Sequence, residues 1–445
     1  MNFKLPKEVE NLIAKFTKSD YQIYIVGGAV RDLLMKRGVH DWDFTTNATP
    51  EEILKVIPDG FYDNKFGTVG LKIGDDVYEI TTMRKEGEYK DSRHPDQVLW
   101  TKDIKEDLAR RDFTINALAL DENLELVDPF EGQSDLAKKT IRTVGDPTSR
   151  FKEDALRLMR AIRIATELDF DIDQKTFDAI KVHKNLIEKV SWERIRDELF
   201  KILGSMNPYM GISKLREAEI LQIILPELEK CFGIKQEGPK HDRIYDIGEH
   251  SLLSLKSVPS SDPLVRLAAL VHDVGKSDTK FIQKDGNVTF YGHDVAGGKL
   301  VLKIAERLKL SNKQSDKLFK LVRFHMFTVD ENQTDSAIRR FIKNVGLENI
   351  EDMFALRIGD RLGGGTQTET SWRMEKFKEK IKQVLHKPFA ITDLKINGND
   401  VIKELNIKPG PKVGEILNTL FQEVLDDSSK NNRDYLISRI KELGQ

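Results

Sequence analysis

Residues 24–46 read YIVGGAVRDLLMKRGVHDWDFTT, so Asp41 and Asp43, one residue apart, follow a glycine-rich turn. Side chains alternate across a strand, so a strand over 41–45 would turn both carboxylates to one face. Held that close, they repel unless a cation lies between them. The paired Gly27 and Gly28 let backbone N–H groups come close to a phosphate. Together these features predict a magnesium–triphosphate site and nucleotidyl transfer. Glu79 offers a third carboxylate, and two metals need ligands on both sides of an in-line displacement. Taken alone, Asp-Trp-Asp is also an ordinary solvated strand end and Gly-Gly an ordinary strand-to-helix turn. The Gly-Gly-x-x-Arg-Asp of 27–32 tips the reading towards chemistry.

Two later segments add candidates. In EDLARRDFTIN (106–116), Arg111 can clamp phosphate oxygens and Asn116 can bond a ribose hydroxyl. A surface helix with an i,i+4 Glu106–Arg110 pair is the plainer alternative. In FKEDALRLMRAIR (151–163), Asp154, Arg157, Arg160 and Arg163 recur every three residues, predicting one polar stripe on a helix. Cytosine and adenine each carry an amino donor beside a ring-nitrogen acceptor. A carboxylate accepts from the first and a guanidinium donates to the second. Guanine and uracil reverse that pattern, so an Asp154–Arg157 pair would admit CTP and ATP and repel GTP and UTP. Arg160 and Arg163 would neutralise the triphosphate. The plainer alternative is a surface ion pair with solvated arginines, worth little energetically.

The elements that position these residues fall in two regimes. Strands are predicted at 23–26, 41–45, 68–73, 77–82 and 118–120, and helices at 7–16, 30–36 and 50–57. From 149 onward apolar residues recur at three- and four-residue steps, the helical period. Turn signals at 145–147, 235–240, 363–365 and 408–411 mark breaks. The 445 residues give ample length for two to four domains, and 39% apolar with 32% charged residues is a globular composition. A formal net charge of −2 excludes a basic coat protein, so RNA contacts must come from local clusters. Cys231 stands alone, which excludes an internal disulfide and a cysteine-rich zinc site. No signal-peptide core or membrane-length apolar run is present, and a cytoplasmic enzyme is expected.

GGAVRD (27–32), DWD (41–43), RRDFTINA (110–117), DPF (128–130) and RTVGDP…RFKEDALRLMRAIR (142–163), in this order, resemble the class II tRNA nucleotidyltransferase and bacterial poly(A) polymerase family. The resemblance implies an α+β fold. A polymerase-β-like head with a mixed β-sheet (1–145) would precede an all-α neck (146–206), body (207–365) and tail (366–445). It implies that Asp41 and Asp43 bind magnesium, with Glu79 beside them. Gly27, Gly28, Arg31, Arg111, Asp112, Asn116, Asp154, Arg157, Arg160 and Arg163 would then bind nucleotide. Glu153, Asp154 and Arg157 match the family's EDxxR base-reading motif. A loop with Asp91 and Arg93 matches the flexible loop of members that add the terminal adenosine. The activity implied is addition of the 3′-terminal CCA of tRNA from CTP and ATP, without a nucleic-acid template and without DNA as partner. An adenosine-only enzyme or a poly(A) polymerase would carry the same residues. The segments 394–402 and 408–417 resemble the family's tRNA-supporting tail, with Lys395, Lys403, Lys408 and Lys412 available to phosphates.

Five of the nine histidines lie in 240–325. The order His250, His272-Asp273, His293, His325, Asp360 resembles the HD phosphohydrolase superfamily, an all-α fold (here about 240–362). The resemblance implies one metal on His250, His272, Asp273 and Asp360, and a second-metal position at His293 and His325. Such a set suits manganese, nickel, iron or magnesium rather than structural zinc. A metal-dependent phosphohydrolase with an RNA-binding head is therefore the rival from another class. A nucleotide-sensing module is a third reading.

Overall fold

The computed structural model describes residues 3–39, 41–64, 67–86, 98–235, 246–327, 333–385 and 391–444. Asp91 and Arg93 lie outside the described residues. The chain forms two compact units, Met1–Glu229 and Lys230–Gln445.

The first unit is built on a seven-stranded mixed sheet. Its strands are β1 (Ile23–Val26), β2 (Asp43–Thr46), β3 (Phe61–Asn64), β4 (Thr68–Ile73), β5 (Asp76–Thr82), β6 (Ala119–Leu120) and β7 (Leu126–Val127). Their order across the sheet is β3-β4-β5-β2-β1-β6-β7. Only the β2–β5 pair is parallel; the other pairs are antiparallel. β1 and β4 fall where their apolar runs predict. β2 starts at Asp43 and leaves Asp41 just ahead of the strand, so the strand expected over 41–45 begins two residues later. The core packs Ile23, Ile25 and Phe44 of the sheet against Val9, Leu12 and Phe16 of the Lys7–Lys18 helix. A capping box between Thr49 and Glu52 starts the Pro50–Val56 helix, satisfying N–H groups the helix leaves open.

After the sheet the first unit is helical apart from a short parallel pairing of Thr140–Ile141 with Asp171–Ile172. The stripe expected from Asp154 to Arg163 is not one helix. The Pro147–Glu153 helix stops, Asp154 is extended (φ −139°, ψ 106°), and a new helix runs Arg157–Leu168. The Asp154 carboxylate accepts from the Leu156 N–H at 3.0 Å, which holds the break.

Among its described residues the second unit is helical except for a hairpin, Phe281–Ile282 with Val288–Thr289, and an isolated Lys235–Asp246 bridge. The helices Ile247–Ser257 and Ile350–Gly363 pack closely because Gly359 and Gly363 face Ser254. A Cβ on Gly363 would lie 2.4 Å from the Ser254 Oγ. A separate apolar cluster unites the C-terminal helices Gly398–Leu405, Pro411–Asp426 and Arg433–Leu443 through Val401, Leu420, Val424 and Leu436. Among the described residues, no helix is long and apolar enough to cross a membrane.

Candidate active site and metal centre

At one end of the first unit's sheet lies a cavity of about 520 Å³. It gathers Gly27, Gly28, Arg31, Asp43, Arg111, Asp112, Asn116, Asp154, Arg157, Arg160 and Arg163, all expected from sequence. Asp41 and Glu79 do not line it. Glu79 instead pairs in register with Asp43 across the parallel β2–β5 ladder, with its side chain exposed. Arg84, Arg110, Ile164 and Glu167 also line the cavity and were not singled out. Seven arginines against four carboxylates leave an excess of positive charge suited to a triphosphate.

Gly27 makes the turn beside the carboxylates possible. It has φ +71°, and a Cβ there would meet the Arg111 guanidinium at 2.9 Å. Burial pushes the Asp43 carboxyl up from its ordinary value; Arg111 opposes this and the charge of Asp41 adds to it. The charge of Asp41, exposed just ahead of β2, thus reaches the Asp43 carboxylate. The buried Nε of Arg111 has no hydrogen-bond partner. A buried, unfavourably charged carboxylate beside a second acid and an orphaned guanidinium N–H is a fitting cradle for a cation carrying phosphate oxygens.

Carboxylates behind the cavity hold the arginines in place. Asp107 is fully buried and pairs with Arg110 at 2.9 Å and Arg111 at 3.4 Å, while also accepting the Arg84 N–H. So Arg110 turns to Asp107, three residues back, where an i,i+4 partner at Glu106 was the plainer expectation. Glu106 itself accepts from Thr101 and Lys85. Arg31 forks onto Asp32 at 2.9 and 3.0 Å and donates to Asn116 at 2.9 Å. Asp112 takes two bonds from Arg160, at 2.8 and 2.6 Å. Burial would raise the Asp112 carboxyl, but Arg160 and Arg157 bring it down to about 2. Arg163 binds Glu198 at 2.6 Å and Glu167 at 2.7 Å.

Asp154 and Arg157 both reach the cavity but are not paired with each other as an i,i+3 reading expects. Asp154 accepts from Arg194 at 2.8 Å. Arg157, almost wholly buried, donates to Glu153 at 2.5 Å and to the carbonyls of Arg150 and Arg110 at 3.1 Å. Each is fixed by a different neighbour, so their relative placement is set by the fold. The DPF segment acts from beneath. Asp128 caps the Gly132–Ala137 helix, and that helix's Asp135 accepts from Thr114 at 2.6 Å, anchoring RRDFTINA.

The second unit brings all six expected residues of the histidine block together. The Nε2 atoms of His250 and His272 lie 3.1 Å apart, and those of His293 and His325 3.4 Å apart. All four face Asp273 at 3.3–3.6 Å, and Asp360 lies 3.2 Å from His250 and 3.6 Å from His272. The triplets His250/His272/Asp273 and Asp273/His293/His325 each have donor atoms close enough to share an ion. His272, His293 and His325 turn Nδ1 to the carbonyls of Ala269, Phe290 and Val322. A carbonyl only accepts, so Nδ1 carries hydrogen and Nε2 is the atom offered to the centre. Burial opposes a charge on His272, yet Asp273 and Asp360 raise it to about 10, while burial lowers His293. Lone pairs facing across 3.1 Å need a proton or a metal ion between them, so the donor set fits a divalent cation. The glycine of His272-Asp273-Val-Gly275 lets this loop reach His293: a Cβ there would stand 2.0 Å from the His293 carbonyl. Lys276, buried, bonds Asp273 at 2.6 Å.

A mixed sheet with paired acids at β2, a glycine turn and an arginine-lined cavity mark the first unit as one that contains the head of a nucleotidyltransferase. Residues 23–142 match the family of the Poly A polymerase head domain, and 169–232 the "Probable RNA and SrmB- binding site of polymerase A". Residues 299–440 match tRNA nucleotidyltransferase domain 2, and 244–349 the HD domain. The chain is 32% identical to the CCA-adding enzyme of Pediococcus pentosaceus, covering 99% of each, and 30% identical to that of Enterococcus faecalis, covering 98% of this chain and 95% of the relative. The Bacillus stearothermophilus CCA-adding enzyme, solved with CTP, superimposes with a TM-score of 0.72 at 26% identity, covering 98% of this chain and 96% of that one. The Thermotoga maritima CCA-adding enzyme, solved with tRNA, shares the fold at a TM-score of 0.61 and 20% identity. This chain belongs to the CCA-adding enzyme family, whose nucleotidyl transfer depends on divalent metal.

Proposed function

We propose that this protein completes or repairs the 3′-terminal CCA of tRNA in the cytoplasm, using CTP and ATP and releasing pyrophosphate. The observation that carries the proposal is the single cavity holding Asp43, the phosphate-suited arginines and the Asp154/Arg157 pair. Arg31, Arg111, Arg160 and Arg163 would grip triphosphate and sugar, with Asn116 on a ribose hydroxyl. Asp154 retains carboxylate lone pairs beyond those given to Leu156 and Arg194, and would accept from the amino group of cytosine or adenine. Arg157 would donate to the ring nitrogen. Because neighbouring groups lock both, guanine or uracil cannot reorient them, and selection follows without a template. Asp41 and Asp43, with Glu79 adjacent, would hold magnesium, which when bound neutralises the triphosphate and acidifies the attacking 3′-hydroxyl. Product length would be set by the site closing as the 3′ end grows. The division into head (1–145), neck (146–206), body (207–365) and tail (366–445) belongs to this reading.

Primer extension with tRNA transcripts ending at the discriminator base, at C and at CC tests it. Growth of the first by CCA and then a stop is expected. Extension of the CC-ended transcript alone, by one A, would make this an adenosine-only enzyme, and long A tracts a poly(A) polymerase.

The four-histidine cluster favours a second reading beside the first. We infer that His250, His272, Asp273, His293, His325 and Asp360 hold manganese, nickel, iron or magnesium, which when bound would activate water for phosphoester hydrolysis, with damaged RNA ends as the substrate. Mn²⁺ binding and phosphatase activity that both vanish in a His272→Ala, Asp273→Ala double variant are the expected result. Activity surviving in that variant would remove the assignment.

A further inference from the structure

The strand register lays one row of residues across a face of the first unit's sheet. Asp43 pairs with Glu79, Glu79 with Gly70, and Gly70 with Phe61. Residues opposite one another in a ladder share a face, so Phe61 on β3 stands on the face that carries Asp43 and Glu79. Val69, Leu71 and Ile80 turn to the other face and are buried in the core. We propose that the Phe61 ring is a stacking platform for an unpaired base of the RNA strand whose 3′-hydroxyl attacks the nucleotide. The proposal rests on the nucleotidyl-transfer reading given above and assigns a subsite for its second substrate.

Three observations support it. The first is the direction of attack. The arginine-lined cavity includes Gly27 and Gly28, which follow β1, on one side of Asp43. Glu79 is on β5, on the other side of β2, and does not line that cavity. An in-line displacement places the attacking oxygen opposite the leaving pyrophosphate. With the triphosphate in the cavity, the 3′ end comes in over β5, and the strand behind it runs over β4 and β3. The second observation is the ring itself. Phe61 is 47% exposed, and its ring tip rests on Gly70, where a Cβ would stand 2.4 Å from the Phe61 Cζ. Backbone thus braces the ring on one side and solvent meets it on another. A ring so placed offers a π surface to any base, whatever its identity. The third observation is the surroundings. Lys72 and Val77, both exposed, pair in register on the same face. Lys72 offers an ammonium to a backbone phosphate beside the aromatic surface, the combination that unpaired strands use. Three strand spacings of about 4.8 Å separate Phe61 from Asp43, so the base on the ring lies upstream of the reacting nucleotide.

The test uses the full chain with Mg²⁺, CTP and ATP, and tRNA transcripts ending at C or at CC. Wild type is compared with Phe61→Leu, Phe61→Trp and Tyr62→Leu. Tyr62 is about as exposed as Phe61 but pairs with Val69, on the other face of the sheet. Phe61→Leu should raise KM for tRNA roughly tenfold, the order expected for one lost base–aromatic stack, with kcat and KM for CTP unchanged. Phe61→Trp should restore the wild-type KM, and Tyr62→Leu should keep it. A readout independent of turnover is 2-aminopurine placed in turn at each of the last three positions of the transcript, since its fluorescence falls on stacking. Quenching upstream of the terminal position by wild type and Phe61→Trp, lost in Phe61→Leu, is the expected result. Equal KM and equal quenching in all four proteins overturns the platform and leaves nucleotidyl transfer standing. A KM for tRNA raised equally in Phe61→Leu and Phe61→Trp, or raised as much in Tyr62→Leu, also overturns it, because packing of the β3 edge would then be the cause. No incorporation of CTP or ATP by wild type overturns the nucleotidyl-transfer reading, and this inference with it.

Discussion

At the scale of single residues, the head's chemistry depends on side chains that other side chains hold still. Asp43→Asn removes the charge that would hold a cation but keeps the shape, so nucleotide incorporation should fall by at least about a thousandfold in primer extension, with the thermal transition nearly unmoved. Gly27→Ala places a Cβ against Arg111 at a positive φ, where an L side chain costs about 1–2 kcal/mol before the clash is counted. Both stability and incorporation should drop. Asp112 supplies a pH test. Its folded value of about 2 lies below the ordinary 3.8, so its stabilisation is present above about pH 4 and lost as pH falls through 2. At about 1.4 kcal/mol per unit this amounts to roughly 2 kcal/mol. Denaturation of wild type and Asp112→Asn should differ by about that much at pH 7, and the gap should shrink towards pH 2. A gap independent of pH would show that the Arg160 pair is not its source.

At the scale of elements, the informative feature is the break between the Pro147–Glu153 and Arg157–Leu168 helices. A continuous helix would have strung Asp154 and Arg157 along one stripe; the break gives each its own anchor. Arg194, on the Trp192–Gly204 helix, is the anchor of Asp154. Arg194→Ala should leave CTP incorporation within about tenfold of wild type and raise misincorporation of UTP and GTP, measured as ratios of kcat/KM. A variant as selective as wild type would place base selection elsewhere. The residue spacing singled out Asp154 and Arg157, which the fold brings to one cavity, but implied the wrong geometry. Three-residue steps read as helix when only local period is counted, and the extended Asp154 is held by an Asx turn and a distant arginine. Asp107 was overlooked for a related reason: within Glu-Asp-Leu-Ala-Arg-Arg its local pattern is that of a surface helix, and only tertiary packing buries it completely.

At the scale of the whole molecule, two units carry two separate clusters of charged and metal-ligating side chains. Asp41→Ala should abolish incorporation and spare phosphoester hydrolysis, while His272→Ala with Asp273→Ala should do the reverse. Addition of Mn²⁺ should raise the midpoint of any resolved unfolding step of the second unit, since an ion that binds only the folded cluster stabilises it. The histidine double variant should lose that shift in calorimetry. A shift that persists there would place the ion on other ligands.

The sequence by itself determined which groups are available for chemistry: paired acids after a glycine turn, the arginine-bearing RRD and EDxxR segments, and the ordered histidines and aspartates. Those signals are local, because residue type and short spacing fix what a side chain can donate, accept or ligate. It also determined the mixed strand-and-helix head and the helical remainder, since apolar period tracks local backbone geometry. The tertiary structure alone decided that Glu79 lies in register with Asp43, that buried Asp107 holds Arg110 and Arg111, that Arg194 holds Asp154, and that four imidazoles turn Nε2 to one carboxylate. Each of these joins elements distant in sequence or depends on how deeply a group is buried. Burial and long-range pairing are properties of packing, which a local pattern does not encode.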